Sequence, residues 1–427
     1  MPVVLLIAMC VGLALSVSVA VSIGVANTLA LYVSKTPMLI LPKEMYSAID
    51  KFPLAAIPFF ILAGNLMERG GISLRLVNFA KSIVGGVQGG LAATCVLTCM
   101  LFAAISGSSI ATTFAIGAIL IPALVRHGYP VSYAAALQAT SAELGVIIPP
   151  SIPMILYGVT AQVSVGEMFV AGFGPGFLIA GALIVYVLIT ARVKGYGKDD
   201  HVGRLTFLTA TWQALPALLL PVIILGGIYS GAATPTEASV VAVFAALVVG
   251  GLIYRELTWV EIGVALKKSV ISSAVVMFII ANAGVFSYLI TRANVPDMIG
   301  SWLIEHLNNP AIFLLGVNMA LFVIGMFIET NSAVIVLAPI LAPIAISLGV
   351  DPVHFGIIMV VNLALGMITP PFGVNLFAAC SVAGISLDRI IPKLLGFVLV
   401  IIACLMVITY FPPISTFLRD MAYPNHR

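Results

Sequence analysis

Two stretches decide the fold: Glu143-Leu-Gly-Val-Ile-Ile-Pro-Pro-Ser151 and Leu365-Gly-Met-Ile-Thr-Pro-Pro-Phe-Gly373. Each is a double proline set inside a long apolar run. Proline lacks a backbone donor and clashes with the carbonyl four residues back, so a helix cannot pass through it unbroken. Each stretch therefore reads as two half-helices joined by an unwound segment. In hydrocarbon such a break survives only when buried in protein or lining a wet cavity. The breaks also correspond in register. At an offset of 221, Ile119 matches Ile340, Pro122 matches Pro343, Gly128 matches Gly349, and Leu144-Gly145 with Pro149-Pro150 matches Leu365-Gly366 with Pro370-Pro371. One unit has been used twice.

Composition sets the solvent. The chain has 427 residues, 61% apolar and only 8% charged, against about 25% charged in soluble domains. So few charges cannot cover a water-soluble surface of this size. The chain reads as an all-α, polytopic membrane protein. Its net charge of +3 is too small to point to nucleic acid, and no Walker loop or nucleotide fingerprint points to ATP. Five cysteines lie in apolar surroundings without metal-ligand spacing; Cys95 and Cys99 share a helix face and read as small buried hydrophobes.

Outward from the breaks, the chain falls into segments. Residues 1–34 carry no charge and lack the basic start of a secretory signal, so a retained span or signal anchor is expected. Lys35, Lys43 and Lys51 follow, which favours a cytoplasmic loop and an external N-terminus. Pro53–Met67 is barely long enough to cross, since a crossing takes roughly 20 residues. Glu68–Lys81 reads as an interfacial amphipathic helix. Leu91–Leu124 is apolar except for Ser106-Gly-Ser-Ser109, Thr112 and Thr113. Phe327-Ile-Glu-Thr-Asn-Ser332 repeats that pattern. Paired re-entrant helical hairpins, each followed by its Pro-Pro broken helix, are expected.

Gly172–Ala191 is an ordinary span, and the basic loop Arg192–Arg204 reads as cytoplasmic. Basic loops on one side, before Pro53 and after Ala191, give the first unit an odd number of crossings. The second unit is then inverted, as in many secondary transporters. The expected division is a first inverted repeat over 1–195, a cytoplasmic linker over 196–211, and a second repeat over 212–427. Thr234-Pro-Thr-Glu237 has the spacing of a capping box. Arg255–Lys268 reads as a surface segment, Pro392–Phe411 as the last span, and Leu418–Arg427 as a short external tail.

Unwound helices turn carbonyl lone pairs toward one place, and facing hairpin hydroxyls add oxygens. A cage of neutral oxygens suits Na+. The first cage would draw on Ser106 and Ser108 with the backbone of Gly145, Ile148 and Pro150. The second would draw on the Gly325 and Phe327 backbone with Gly366, Met367 and the Thr369 hydroxyl. Two acids fall beside the breaks, Glu143 and Glu329, and a mid-bilayer charge costs about 2.5–3.5 kcal/mol on insertion scales. Glu143 reads either as a functional acid or as a structural one at a cavity mouth. Glu329, at a hairpin tip, has three readings: bonding substrate, facing water, or tuning a cation site. His354 reads as interfacial. Arg292, ending an apolar run near Asn294 and Pro296, offers a planar fork for a substrate carboxylate; snorkelling is the plainer alternative.

Pro58-Phe-Phe-Ile-Leu-Ala-Gly-Asn-Leu-Met67, Ile105-Ser-Gly-Ser-Ser109, Gly145-Val-Ile-Ile-Pro-Pro-Ser151, Thr234-Pro-Thr-Glu-Ala238 and Gly366-Met-Ile-Thr-Pro-Pro371 together resemble the large membrane subunit of tripartite ATP-independent periplasmic (TRAP) transporters. The resemblance covers nearly the whole chain. It implies Na+-driven uptake of an organic acid delivered by a soluble periplasmic binding protein. It also implies a small four-helix membrane partner subunit, an inner-membrane location and an elevator motion of the hairpin-bearing domain; since the chain opens on its own first span, that partner is expected on a separate chain, and the charge placement leaves both termini periplasmic. The wording around Glu143 looks most like sialic acid members, with dicarboxylates the alternative. Arg292 matches the arginine expected to meet the carboxylate. No organic cofactor is implied.

Three rival readings have discriminating features. A stand-alone sodium-dicarboxylate symporter would need no partner proteins. A channel would conduct far faster than about 10^3 per second. An intramembrane enzyme would need a base beside Ser106 or Ser108, and neither has a histidine or lysine in its segment.

Overall fold

A computed structural model describes residues 2–15, 17–198, 205–295, 298, 309–371 and 373–424. The apolar N-terminal run does not form the single span expected of it. It folds into two short helices, α1 (Pro2–Ala14) and α2 (Val19–Val33), packed on each other. At 1.5 Å per residue neither reaches the ~30 Å of a hydrocarbon core. A third helix, α3 (Ile40–Ile49), then meets α4 (Ala56–Arg69) through the short turn Phe52–Ala55, bent by 68°. Gly70 and Gly71 separate α4 from α5 (Ile72–Val84). The amphipathic reading applies to α5, which buries Ile72, Leu76, Val77 and Ala80 on one face and leaves Leu74 exposed.

The first hairpin is α6 (Gly90–Ser106) and α7 (Ser109–Arg126). Gly107, at φ +62, adopts the left-handed conformation that ends α6, and Ser108, extended, caps α7 by accepting from the Ala111 amide. The first broken helix follows as α8 (Val131–Ala142), the single turn α9 (Leu144–Ile147) and α10 (Ile152–Thr160). Ser151 restarts it by accepting from Met154 N. Then come α11 (Val165–Lys194), α12 (Phe207–Tyr229), α13 (Pro235–Leu247, continued as a π-helical turn Val248–Ile253) and α14 (Trp259–Arg292). The capping box opens α13 as expected: Thr234 N donates to Glu237 Oε2 at 2.7 Å, and Glu237 N donates to Thr234 Oγ1 at 3.3 Å.

Arg255–Lys268 is not a separate surface segment. Most of it is the start of the 34-residue α14, docked by charge: Glu261 pairs with Arg69, and Lys268 reaches Glu68 at 3.0 Å.

The second hairpin is α15 (Pro310–Gly325) and α16 (Thr330–Ser347). The second broken helix is α17 (Pro352–Met367) and α18 (Val374–Ala383). The chain closes with α19 (Leu387–Tyr410) and α20 (Pro413–Ala422). Much of the expected external tail is thus helix, packed on α11 and held by Arg419, which donates to both carboxylate oxygens of Asp351 at 2.7 Å.

Ends of α11 reveal the inversion. At its linker end, the Gln88 amide donates to Ala191 O and Tyr196 O, and the Tyr129 and Tyr133 rings lie 5.8 and 5.5 Å from that of Tyr196. Gln88 precedes α6 and Tyr129 follows α7, so the first hairpin enters and leaves at that end. Near the opposite end, Tyr157 donates to Pro352 O at 2.7 Å, which puts the close of α16 and the start of α17 there. The second hairpin therefore enters from the other side.

The same geometry corrects one topological expectation. Thr236, at the start of α13, donates to Phe52 O at 3.2 Å. Lys51 thus lies with the far end of α12, while the basic loop leads into its near end. A 23-residue helix is about 35 Å long, so these two basic stretches sit on opposite sides, not one.

Candidate cation cages and a basic cavity

In the first break, Pro149 and Pro150 cannot donate to the carbonyls of Gly145 and Val146, their partners in an unbroken helix. Val146 O is instead taken by Ser151 Oγ at 2.6 Å. The backbone extends at Ile148 and Ser151, and the Pro149–Pro150 bond is cis. Against this unwound turn sits the first hairpin tip. A Cβ on Gly145 would lie 2.7 Å from Ser108 O and 2.9 Å from Thr112 Oγ1, and one on Gly107 would lie 2.7 Å from Pro150 O. Ser106 Oγ and Thr112 Oγ1 are 3.1 Å apart, and Thr112 donates to Ser108 O at 2.8 Å. The structure thus brings Ser106, Ser108, Gly145 and Pro150 together, while the Ile148 side chain packs on Gly176 of α11. It adds Thr112, one turn past Ser108 on α7.

The second break repeats the contact with other side chains. Gly366 and Gly325 meet backbone to backbone, so that a Cβ on Gly325 would lie 3.1 Å from Gly366 Cα. Pro370–Pro371 is cis. Thr369 donates to Leu365 O at 2.9 Å, and Thr330 reaches Met367 Sδ at 2.9 Å. Gly373 backs onto the carbonyls of Met367 and Thr369. Gly325, Gly366, Met367 and Thr369 are brought together. Phe327 occupies the tip and is exposed. Both contacts bring backbone carbonyls and hydroxyls of a hairpin tip and a break close together.

Arg292, the last residue of α14, opens on a cavity of about 460 Å³ lined also by Glu44, Lys51, Thr160, Tyr288 and Ile335. The cavity lies between α3 and α14 on one side and α10 and α16 on the other. Its guanidinium lies 3.3 Å from the Tyr288 hydroxyl. Pro296, part of the sequence case for Arg292, lies outside the described residues. Glu329 is not on this cavity. Its carboxylate turns back on its own hairpin tip, where Asn331 Nδ2 and Ser332 Oγ donate to it.

Glu143 is 1% exposed and accepts from Asn375 Nδ2 at 2.6 Å. His354, read as interfacial, stands in the first turn of α17. It is 2% exposed and bonded to Ser415 Oγ and Thr409 O, a joint between α17, α19 and α20. Cys95 and Cys99 are buried against Gln138. Among the described residues no three metal-ligating side chains cluster. Thr112, Thr330, Gly373 and Asn375 join the site without having been singled out for it. Thr112 and Thr330 carried a signal as parts of the two polar knots and Gly373 as the end of the second break, whereas Asn375 carried none.

A chain of inverted hairpins and broken helices, with a cavity that Arg292 lines, is a polytopic helical transporter. The family described as "Tripartite ATP-independent periplasmic transporter, DctM component" matches residues 5–414, and the chain belongs to that family. A C4-dicarboxylate TRAP transporter large permease protein of Pseudomonas aeruginosa is 44% identical over 382 residues, 90% of this chain and 88% of that protein. A sialic acid TRAP transporter large permease protein of Vibrio cholerae is 34% identical over 397 residues, 93% of each. The solved structure of the Alcanivorax borkumensis YdaH transporter superposes with a TM-score of 0.63 at 16% identity, covering 87% of this chain and 88% of that one. That likeness concerns the fold alone. The relatives are permeases, and this chain is not an enzyme.

Proposed function

We propose that the chain is the Na+-coupled large permease of a system that takes up a small organic acid. The observation that carries this reading is the pair of hairpin–break contacts, one from each inverted unit, in a chain that also holds a separate cavity lined by Arg292. Na+ in the cages would hold both tips against their breaks. The substrate carboxylate would meet the Arg292 fork, which pairs two donors with two oxygens. Movement of the hairpin-bearing part against the remaining helices, as an elevator, would carry both across. Residues 1–195 and 212–427 are taken as the repeats, joined by 196–211. A periplasmic binding protein would deliver the acid, and a small four-helix subunit would complete the scaffold in the inner membrane. The linker is assigned to the cytoplasm, which leaves α20, at the other end of α11, on the periplasmic side.

For the substrate, a C4-dicarboxylate is favoured over sialic acid. The relative named for C4-dicarboxylates is the more similar of the two. Reconstitution with the small subunit and candidate binding proteins tests this. Uptake of a C4-dicarboxylate that needs both the binding protein and a Na+ gradient is expected. Uptake by this chain alone would favour a stand-alone symporter, and uptake of sialic acid only would reverse the substrate assignment.

A further inference from the structure

Three buried side chains join the two cages. Asn375, two residues past Gly373 on α18, donates through Nδ2 to Glu143 Oε1 at 2.6 Å. Its Oδ1 accepts from Thr113 Oγ1 at 2.9 Å, a hydroxyl shared with Ser109 O at 3.0 Å. Thr113 and Asn375 are fully buried and Glu143 nearly so. The other carboxyl oxygen, Oε2, is buried with no hydrogen-bond partner. Asn375 is therefore the one side chain among the described residues that satisfies Glu143.

Each member sits next to cage backbone. Thr113 follows Thr112 on the first hairpin. Glu143 is two residues before Gly145, which backs onto Ser108 O. Gly373, two before Asn375, backs onto Met367 O and Thr369 O. A buried hydrogen bond left unmade is costly, so the three elements cannot shift independently without orphaning a polar group. A cation that fixes the first tip against the first break also fixes where Asn375 stands, and with it the start of α18 behind the second cage.

We propose that Asn375 is a positioning residue that couples the two cation sites, so that Na+ at one raises affinity at the other. This rests on the Na+ reading above. Allosteric couplings amount to about 5–150-fold in affinity, enough to make a two-site response sigmoidal. The test is an isothermal binding titration of the purified chain with its small subunit, read as bound radiolabelled Na+ against free Na+, with K+ as control. The parent should respond sigmoidally. Thr113→Val keeps the shape but deletes the link to the hairpin, and Asn375→Leu deletes both links; each should make the response hyperbolic. Thr113→Ser, which keeps the hydroxyl, should restore the sigmoid. Should Asn375→Leu fail to fold, Thr113→Val decides, since it leaves the Asn375–Glu143 bond in place. A sigmoid retained in Thr113→Val, or a hyperbolic parent, overturns the coupling while leaving Na+ binding intact. A parent with no response to Na+ overturns the Na+ reading and this proposal together.

Discussion

The two breaks are copies in sequence but not in surroundings. From Ser141 to Ser151 every residue is buried, and the first hairpin tip is closed except for a half-buried Ser108. Around the second break, Thr369 and Pro370 are half-buried and Pro371 is exposed, and the tip carries the exposed Phe327. The first is a sealed cage and the second an accessible one. Water can replace a lost oxygen in the second but has little way into the first. Duplication thus fixes the backbone design, while burial sets what each oxygen contributes.

The largest expected effect falls between the two regions. Arg292→Ala should nearly abolish uptake, since removing the charged partner of a desolvated acid costs about 2–5 kcal/mol. Na+-induced stabilisation should survive, because both cages are intact. Arg292→Lys should also transport poorly, as it keeps the charge and loses the paired donors. Parent-like uptake by the lysine variant would mean that Arg292 only snorkels.

Next comes Gly366→Ala. A Cβ there overlaps the Gly325 backbone, and overpacking of this kind costs typically about 1–3 kcal/mol. The second hairpin should be pushed off its break, with Na+ stabilisation halved and uptake lost. Full Na+ response in this variant would remove the second cage from consideration.

Ser106→Ala and Thr369→Ala then measure sealing directly. In the dry cage the orphaned partners cost about 1–3 kcal/mol, so Na+ half-saturation for Ser106→Ala should rise by about 5–150-fold. For Thr369→Ala the rise should stay below about tenfold. Equal shifts would show that the two cages are equally wet. The smallest effect is expected for Thr330→Val, which loses only a hydroxyl contact to a thioether, a weak acceptor. A shift below about threefold is expected in the same titration.

How much of this could be read from the residues depended on range. The breaks, the paired hairpins and the capping box at Thr234 rest on proline, glycine and cap chemistry within a few residues, and all were legible. The division of residues 1–34 into α1 and α2 was not, because between Ala14 and Val19 the sequence offers only serine as a breaker. The charged start of α14 looked like a loop, since its partners Glu68 and Arg69 lie about 200 residues away. Charge counting placed Lys51 with the linker. The Thr236–Phe52 bond shows the opposite. Asn375 was invisible because its chemistry depends on Glu143, 232 residues distant.

The short last helix bears on how the molecule is made. Ile414 O lies against the Gly174 backbone, and Tyr423 lies against Gly166. Asp351 and His354 also wait for Arg419 and Ser415. A ribosome delivers α11 more than 200 residues before α20. Throughout that interval one flank of α11, and later a buried histidine, stand open to lipid or to whatever chaperones nascent membrane proteins. Residues 413–424 cover that flank only once they have been made. A chain stopped at Phe411 would insert its spans yet still present an unfinished surface to the cell's membrane proteases.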